Sequence, residues 1–394
     1  MPEAEKTTMH VNMGPAHPAM HGTIHIGLEL EGERVRGSEV EIGYLHRAFE
    51  KTVENRTWNQ AIPYTDRLNY VSPVINNVGY ALAVEKMMGI EVPERGVWIR
   101  MALCELSRVT DHLTCNGAMA MELGALTVFV WFIKAREILY GLLEEATGAR
   151  LTVSWARIGG VTGDLTEKFL AGLPEAIKMT RQTVAEGNKL LVNNRIFIDR
   201  TRGIGALTRD EVVSHAITGP LGRASGLNYD VRRDLPYLAY DQVKFEVPLG
   251  VNGDVYDRFM VRVNEIEQSL RIIEQCLEKL PAGPVSADDQ RVTLPAKTQV
   301  YTEMDPLIHH FKLLMPGHGI RPPAGEVYQA VEGANGELGF YIVSGGTDRP
   351  WRVRVRPPCF FPMSALSKMI EGGLVADVVP AFGSINMIAG ELDR

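Results

Sequence analysis

The chain has 394 residues, of which 45% are hydrophobic and 23% are charged, and its formal net charge at pH 7 is −7. This composition is typical of a globular protein with two domains, or with one large domain and a smaller lobe. Because no basic stripe offsets the negative charge, we expect no nucleic-acid partner. The N-terminal sequence MPEAEKTTMH lacks the apolar run of a secretory signal, and disorder is expected only in residues 1–7.

No membrane-spanning helix is predicted. The most apolar run, residues 123–133, lies between Glu122 and Lys134, whereas a helix that crosses a bilayer needs about 20 apolar residues. We therefore expect a buried helix there, and any membrane association would come through a partner. The cysteines are widely spaced without a CxxC pair, which fits a reducing cytoplasm and argues against a cysteine-held cluster or structural zinc. They are Cys104, Cys115, Cys276 and Cys359.

The first third of the chain contains strands and then helices. Alternating apolar and polar residues predict strands at 9–13 and 23–42, with a hairpin turn at Glu31-Gly32-Glu33. From about His46 to Gly148 the apolar residues follow the helical period. One buried helix is predicted from Trp98 to Met121, after Pro93, and another is predicted to stop at Gly148.

The most regular helical pattern comes later, starting near Asp254 and ending before Pro281. Residues 280–295 are rich in proline and polar residues and predict a connector. Strands are then predicted at 326–344 and 351–356, with Asn335-Gly336 as a hairpin turn.

Helices in the middle of the chain and strands at both ends predict an α+β fold with a central helical bundle. We divide it into an N-terminal β-hairpin region with a candidate site loop (1–45), a helical core (46–280) and a C-terminal α+β lobe packed on the core (281–394). Neither Gly159-Gly160 nor Gly345-Gly346 has the spacing of a nucleotide-binding loop.

Two histidines lie four residues apart in the opening segment GPAHPAMHG. Pro18 pushes His17 toward extended geometry, which argues against the helical HxxxH arrangement that would let His17 and His21 bind one metal ion. Three interpretations stay open: a metal pair, a structural turn, or a functional loop that uses the titration of histidine near neutral pH. In contrast, neighbours such as His309 and His310 on a helix splay to different faces, so a shared role is not expected.

Two other side chains stand out. Glu122 lies in an apolar sequence, and a buried carboxylate must be paired or neutral. It could form an ion pair with an arginine, or orient a histidine and stabilise its charged form. Tyr70 follows Asp66 and Arg67, which are expected to pair locally; its phenol could be a core group or a proton donor.

Many segments together resemble one family, the D-type (49 kDa) subunit of NADH-quinone oxidoreductase, which is respiratory complex I. They extend in order from Gly14 to Arg394. These segments are GPAHPAMHG, GYLHRAFEK, QAIPYTDRLNYVS, AVEKMMGIEVP, GARLTVSWARIGGV, NNRIFIDRTRGIG, DQVKFEVPLG, SLRIIEQCL, PLIHHFKLL and the terminal GELDR.

The resemblance implies the fold of nickel–iron hydrogenase large subunits, whose metal is held by two CxxC pairs. The corresponding stretches here, 66–71 and 382–387, contain no cysteine. A soft nickel–iron centre would have no thiolate ligands, so hydrogenase chemistry is not expected and no metal or cofactor is assigned to this chain.

The resemblance also implies site residues. His21 and Tyr70 would bind the quinone headgroup and supply its protons, and a carboxylate at Glu122 would face His21. Arg47 and Thr152 would lie close to a 4Fe–4S cluster held by a partner. The family usually has an aspartate at Glu122 and a histidine at Thr152. With glutamate at position 122, the geometry of its pairing with His21 stays open. With threonine at position 152, the side chain cannot take up a proton near the cluster.

The resemblance finally implies a setting: electron transport and proton translocation by a respiratory-chain translocase that oxidises NADH. The chain would be peripheral, on the cytoplasmic side of the inner membrane, and inactive alone. Expected partners are the cluster-bearing subunit of B type and subunits of C, I and H type. The alternatives are a non-catalytic scaffold, a metal hydrolase using His17 and His21, and the same quinone site in a complex that receives electrons from ferredoxin or a deazaflavin (F420).

Overall fold

The computed structural model describes residues 8–394. Within them, helices alternate with loops and with small antiparallel sheets. The predicted α+β class is confirmed, with helices in the middle and strands toward both ends. The likeness to hydrogenase large subunits and the division at residues 45 and 280 stay predictions. The expectation for residues 1–7 lies outside the described residues.

The first strands form one antiparallel sheet. They are β1 (Thr8–Met13), β2 (His25–Glu31) and β3 (Arg34–Glu41), and β2 lies in the centre. Glu31 pairs with Arg34 across a tight turn in which Gly32 has φ +62, a conformation that glycine adopts without strain. The predicted hairpin is therefore confirmed, although its turn is one residue shorter than predicted because Glu31 belongs to β2. Its buried face, which includes Ile26 and Leu28, packs toward the C-terminal helices.

Long helices follow, as the apolar period predicts. They are α1 (Phe49–Glu54), α2 (Trp58–Thr65), α3 (Pro73–Met88), α4 (Glu94–Glu122), α5 (Leu126–Thr147) and α6 (Glu167–Leu191). Helix α4 begins directly after Pro93, and α5 ends at Gly148, which has φ +79. A left-handed glycine is a common way to end a helix. Both predicted boundaries are confirmed.

Helix α6 is absent from the sequence prediction, although its start carries a clear signal. The Thr166 hydroxyl accepts a hydrogen bond from the Phe169 amide at 3.1 Å and caps the helix. Gly172 and Pro174, both poor helix formers, lie in its first turns and obscure the pattern. Packing against α5 outweighs these local preferences.

Short elements flank α6. They are β4 (Ala156–Arg157) and β5 (Gly160–Val161) before it, and α7 (Arg195–Asp199), α8 (Arg209–Ser214), α9 (Gly219–Ala224) and α10 (Val231–Asp234) after it. The last long helix, α11 (Val255–Lys279), is the one predicted between Asp254 and Pro281 and is confirmed. The Asp254 carboxylate caps it by accepting from the Asp257 amide at 2.8 Å.

The C-terminal part combines a second sheet with small helices. Its elements are α12 (Lys297–Thr302), α13 (Met304–Leu314), β6 (Gly325–Gly333), β7 (Gly336–Ser344), β8 (Pro350–Arg356), α14 (Phe360–Ser364), α15 (Leu366–Ile370), α16 (Val378–Gly383) and α17 (Ala389–Leu392). Gly333 pairs with Gly336, so Ala334 and Asn335 form the turn. The predicted turn at Asn335-Gly336 is wrong by one residue, because Gly336 already belongs to β7.

Two apolar clusters hold these elements together. The first joins the long helices to the sheet β6–β8, and the second joins the sheet β1–β3 to the helices α14–α17. Met119 belongs to the first cluster and Phe382 to the second. Both side chains line the cavity described below, so the candidate site lies where the two clusters meet.

Buried charges fix the central helices relative to the sheet. Arg232 on α10 contacts Glu105 on α4 at 3.1 Å, and Arg223 contacts Glu265 on α11 at 2.6 Å and Glu332 on β6 at 2.8 Å. All of these side chains are almost fully buried. Removing one partner of such a network would leave an unpaired charge at high cost. None of the helices within residues 8–394 is both long and apolar enough to cross a membrane.

Candidate functional site

The two histidines of the opening segment have different local roles. His17 is extended (φ −72, ψ 131), and its Nδ1 accepts from the Ala19 amide at 3.2 Å, which caps the short 3-10 helix Pro18–Met20. His21 ends that helix in the left-handed conformation, with φ 55. The predicted extended geometry at His17 is confirmed. Because the pair does not share one helical face, the HxxxH metal arrangement is not formed.

His21 reaches the C-terminal end of helix α4. Its Nε2 lies 3.1 Å from Oε1 of Glu122, whose side chain is only 7% exposed, whereas that of His21 is 44% exposed. No arginine within residues 8–394 lies at ion-pair distance from Glu122, so the alternative of an arginine pair is wrong. A buried carboxylate that contacts one imidazole nitrogen can fix the orientation of the ring.

The Glu122 carboxylate oxygen that does not contact His21 faces the C-terminal segment. Its Oε2 is buried and has no hydrogen-bond partner among the described residues. A Cβ at Gly383 would lie 2.3 Å from this oxygen, so a larger residue there would force the end of the Glu122 side chain to move. The Phe382 ring stands edge-on to the His21 ring, with centroids 5.8 Å apart. The carboxylate is thus held between a histidine and a glycine, with one oxygen unused.

Tyr70 lies in the loop that follows α2. The side chain of its neighbour Asn69 accepts from the Val71 amide at 3.1 Å and donates to Asp111 at 2.9 Å, which fixes the loop against α4. Burial raises the pKa of the Tyr70 phenol above 10.0, Asp111 raises it further, and nearby Arg47 lowers it. The phenol is therefore protonated at neutral pH, and its O–H can donate a hydrogen bond.

His21, Tyr70 and Glu122 line the same cavity, of about 170 Å³. The other lining residues are Val71, Thr114, Cys115, Ala118, Met119, Phe382, Gly383, Asn386, Met387 and Ile388. Larger cavities of about 540 and 490 Å³ lie around Pro63, but they contain none of these three side chains. We take the smaller cavity as the candidate site because it combines a donor phenol, an imidazole and a buried carboxylate.

Sequence reasoning missed several residues of this cavity. It considers residues 382–387 only because they lack cysteine, yet Phe382 and Asn386 form one wall. Asn386 donates to Asp111 at 2.7 Å and contacts Asn335 at 2.5 Å, in a left-handed backbone with φ 57. A polar residue between apolar neighbours, in a backbone region that asparagine tolerates, is the local signal that could have pointed to it.

Arg47 and Thr152 lie outside the cavity lining. Arg47 is exposed, and its Nη2 donates to the Arg67 carbonyl at 2.7 Å. The predicted pair of Asp66 and Arg67 is confirmed at 3.3 Å, and the Ser154 amide donates to Asp66 at 3.2 Å. Thr152 is half-buried, two residues before Ser154. These contacts connect the segments that carry Arg47 and Thr152 to the loop that leads to Tyr70.

The remaining candidates are structural. All four cysteines are free and buried, and Cys115 lines the cavity. His309 Nε2 lies 3.4 Å from the Thr293 carbonyl, whereas the His310 ring packs edge-on against Phe311. The predicted divergence of this histidine doublet is confirmed.

Comparisons with known proteins show the family of this chain. Residues 122–394 match the family model described as respiratory-chain NADH dehydrogenase, 49 Kd subunit. A D-type subunit of NADH-quinone oxidoreductase from Sorangium cellulosum is 53% identical over 98% of this chain and 95% of its own length. The D-type subunits of the same enzyme from Myxococcus xanthus and Pelobacter propionicus are 47% and 48% identical, over 98% and 99% of this chain and 92% and 96% of theirs. The chain therefore belongs to the family of the 49 kDa subunit of respiratory-chain NADH dehydrogenase.

Proposed function

We propose that this chain is the quinone-binding subunit of the peripheral arm of a proton-pumping NADH-quinone oxidoreductase. Relatives that match nearly the whole chain carry the name of this enzyme's D-type subunit. The observation that carries the proposal is the cavity in which His21 and Tyr70 come together beside Glu122. Function follows from such a site and not from the fold alone.

The two side chains suit the chemistry of a quinone. Reduction to the quinol adds two electrons and two protons, one proton to each carbonyl oxygen. The Tyr70 hydroxyl is protonated at neutral pH, so it can donate a hydrogen bond to one oxygen and pass on its proton when the reduced oxygen becomes more basic. His21 would serve the second oxygen, and the contact with Glu122 would fix its ring.

The electrons come from outside this chain in our proposal. The donor is a 4Fe–4S cluster in a partner of B type, near Arg47 and Thr152. A fixed guanidinium charge there would favour the reduced cluster. The chain would also contact subunits of C and I type and, where the quinone tail enters, one of H type. It would lie on the cytoplasmic side of the inner membrane and be inactive alone.

Two other functions remain candidates. A non-catalytic scaffold would keep the fold without using the cavity, and a complex that receives electrons from ferredoxin or a deazaflavin would use the same quinone site. The donor of the electrons is set by other subunits, so only the scaffold makes a different prediction for this chain.

The test is quinone reductase turnover of the membrane-assembled complex with Tyr70→Phe. We expect turnover to fall roughly 100-fold, because a positioned proton donor contributes about that much, while co-purification of the partners stays normal. Tyr301→Phe is the matched control, since that side chain is 77% exposed and lies outside the cavity lining. Unchanged turnover in an intact Tyr70→Phe complex would favour the scaffold.

A further inference from the structure

The segment GELDR, residues 390–394, holds the loop that carries Arg47. The Asp393 carboxylate accepts hydrogen bonds from the Gly43 amide at 3.0 Å and from the Leu45 amide at 2.8 Å. Its backbone carbonyl lies 2.7 Å from Nδ1 of His46. Asp393 is only 6% exposed, so the acceptor side of these bonds is buried although the loop itself lies at the surface.

The same segment also lies against the chain that leads to Tyr70. A Cβ at Gly390 would lie 2.3 Å from the Arg67 carbonyl oxygen and 3.0 Å from Nη2 of Arg47. This is the Nη2 that donates to the Arg67 carbonyl at 2.7 Å. The absence of a side chain at Gly390 therefore makes room for the contact between the Arg47 loop and the Tyr70 loop.

We propose that Asp393 and Gly390 are positioning residues that hold the Arg47 guanidinium against the Arg67 carbonyl, in the segment that leads to Tyr70. Arg47 is exposed, and a long side chain on a free loop would sample many rotamers. Asp393 fixes the residues directly before Arg47, and Gly390 lets the guanidinium reach the Arg67 carbonyl. The Arg47 charge also lowers the pKa of the Tyr70 phenol, against the larger effect of burial. The inference rests on the proposed function, in which Arg47 lies near the partner's cluster.

The experiment compares Asp393→Asn with Arg47→Gln in the assembled complex. The amide that replaces the Asp393 carboxylate would offer one acceptor oxygen for two backbone donors, so the loop would lose one of its bonds. We expect the midpoint potential of the partner's cluster, followed by EPR, to shift to more negative values in both variants. Turnover should fall roughly tenfold or more, since small displacements at a site are costly.

A matched control separates positioning from stability. Asp254 is also buried and accepts from two backbone amides, those of Gly203 and Asp257, each at 2.8 Å. Asp254→Asn should therefore lower stability in a similar way and leave the potential unchanged. A shift with Asp254→Asn as large as that with Asp393→Asn would overturn the proposal.

Further outcomes distinguish the possible failures. If Arg47→Gln shifts the potential and Asp393→Asn does not, the positioning role is wrong and the proposed function stands. If neither Arg47→Gln nor Tyr70→Phe has an effect, the proposed function itself fails. If the Asp393→Asn complex does not assemble, Gly390→Ala replaces it, because the added methyl group would push on the Arg47 contact directly. An unchanged cluster potential in Gly390→Ala would also overturn the proposal.

Discussion

Replacing Glu391 by glutamine should remove a pH dependence of stability. Glu391 is 1% exposed, and its Oε1 accepts from the Cys359 amide at 2.8 Å. Burial is the main reason that the pKa of this carboxyl rises from 4.5 to about 7; the Asp111 charge acts in the same direction, whereas the bond to Cys359 and the Arg356 charge oppose it. Between these two pH values the folded chain keeps a proton that the unfolded chain releases.

The direction and the size of the pH effect on stability follow from this difference in proton binding. Because the folded state binds the extra proton, the contribution of Glu391 to stability is fully present below pH 4.5 and is lost as the pH rises through about 7. A shift of that size corresponds to about 3 kcal/mol, at roughly 1.4 kcal/mol for each pH unit. Glutamine imitates the protonated carboxyl and can still accept from Cys359. The Glu391→Gln chain should match the wild type near about pH 4 and exceed it by up to about 3 kcal/mol at about pH 8.

The assay is urea unfolding of the full chain at several pH values, followed by circular dichroism. Glu371→Gln is the matched control, since that side chain is exposed, and it should leave the pH dependence of the wild type in place. An equal difference between Glu391→Gln and wild type at about pH 4 and about pH 8 would show that Glu391 is not the source of the pH dependence. A variant that is less stable at every pH would refute the reasoning as well.

Two further predictions concern the site and its surroundings. Glu122→Gln keeps the shape of the carboxylate and removes its charge, so turnover of the assembled complex should fall roughly tenfold or more; wild-type turnover would contradict an orienting role toward His21. Thr152→His should introduce a group that takes up a proton near the partner's cluster. The midpoint potential should then depend more steeply on pH, up to about 59 mV per unit, in EPR titrations at two pH values; a slope equal to that of the wild type would contradict this.

The sequence predicted those parts of the fold whose signals are local. Pro93 marks the start of α4, Gly148 the end of α5, and Asp254 the start of α11. Helix α6 was missed because Gly172 and Pro174 interrupt its period, and tertiary packing overrides such local preferences. Sequence patterns predict a helix well when its own residues define its ends and its apolar face. They predict it less well when packing against neighbouring helices stabilises it.

The candidate site could not be predicted in the same way, because its contacts join distant parts of the chain. His21 and Glu122 are 101 residues apart, and no spacing rule connects them. Sequence reasoning left Glu122 with an arginine or a histidine as its partner, and only the packing of the opening loop on α4 decides for His21. The identity of His21 and Tyr70 as headgroup ligands rests on the resemblance to the family, and their shared cavity supports it.

The C-terminal segment leaves space for the side chain of the glutamate at position 122. Resemblance to the family leads one to expect an aspartate there, and the longer side chain needs extra space. Gly383 supplies that space, since any Cβ there would lie 2.3 Å from Oε2 of Glu122. With the carboxylate in this position, Oε1 still reaches His21 at 3.1 Å. The glutamate therefore keeps the contact with His21 that the proposed chemistry needs, with its second oxygen beside Gly383.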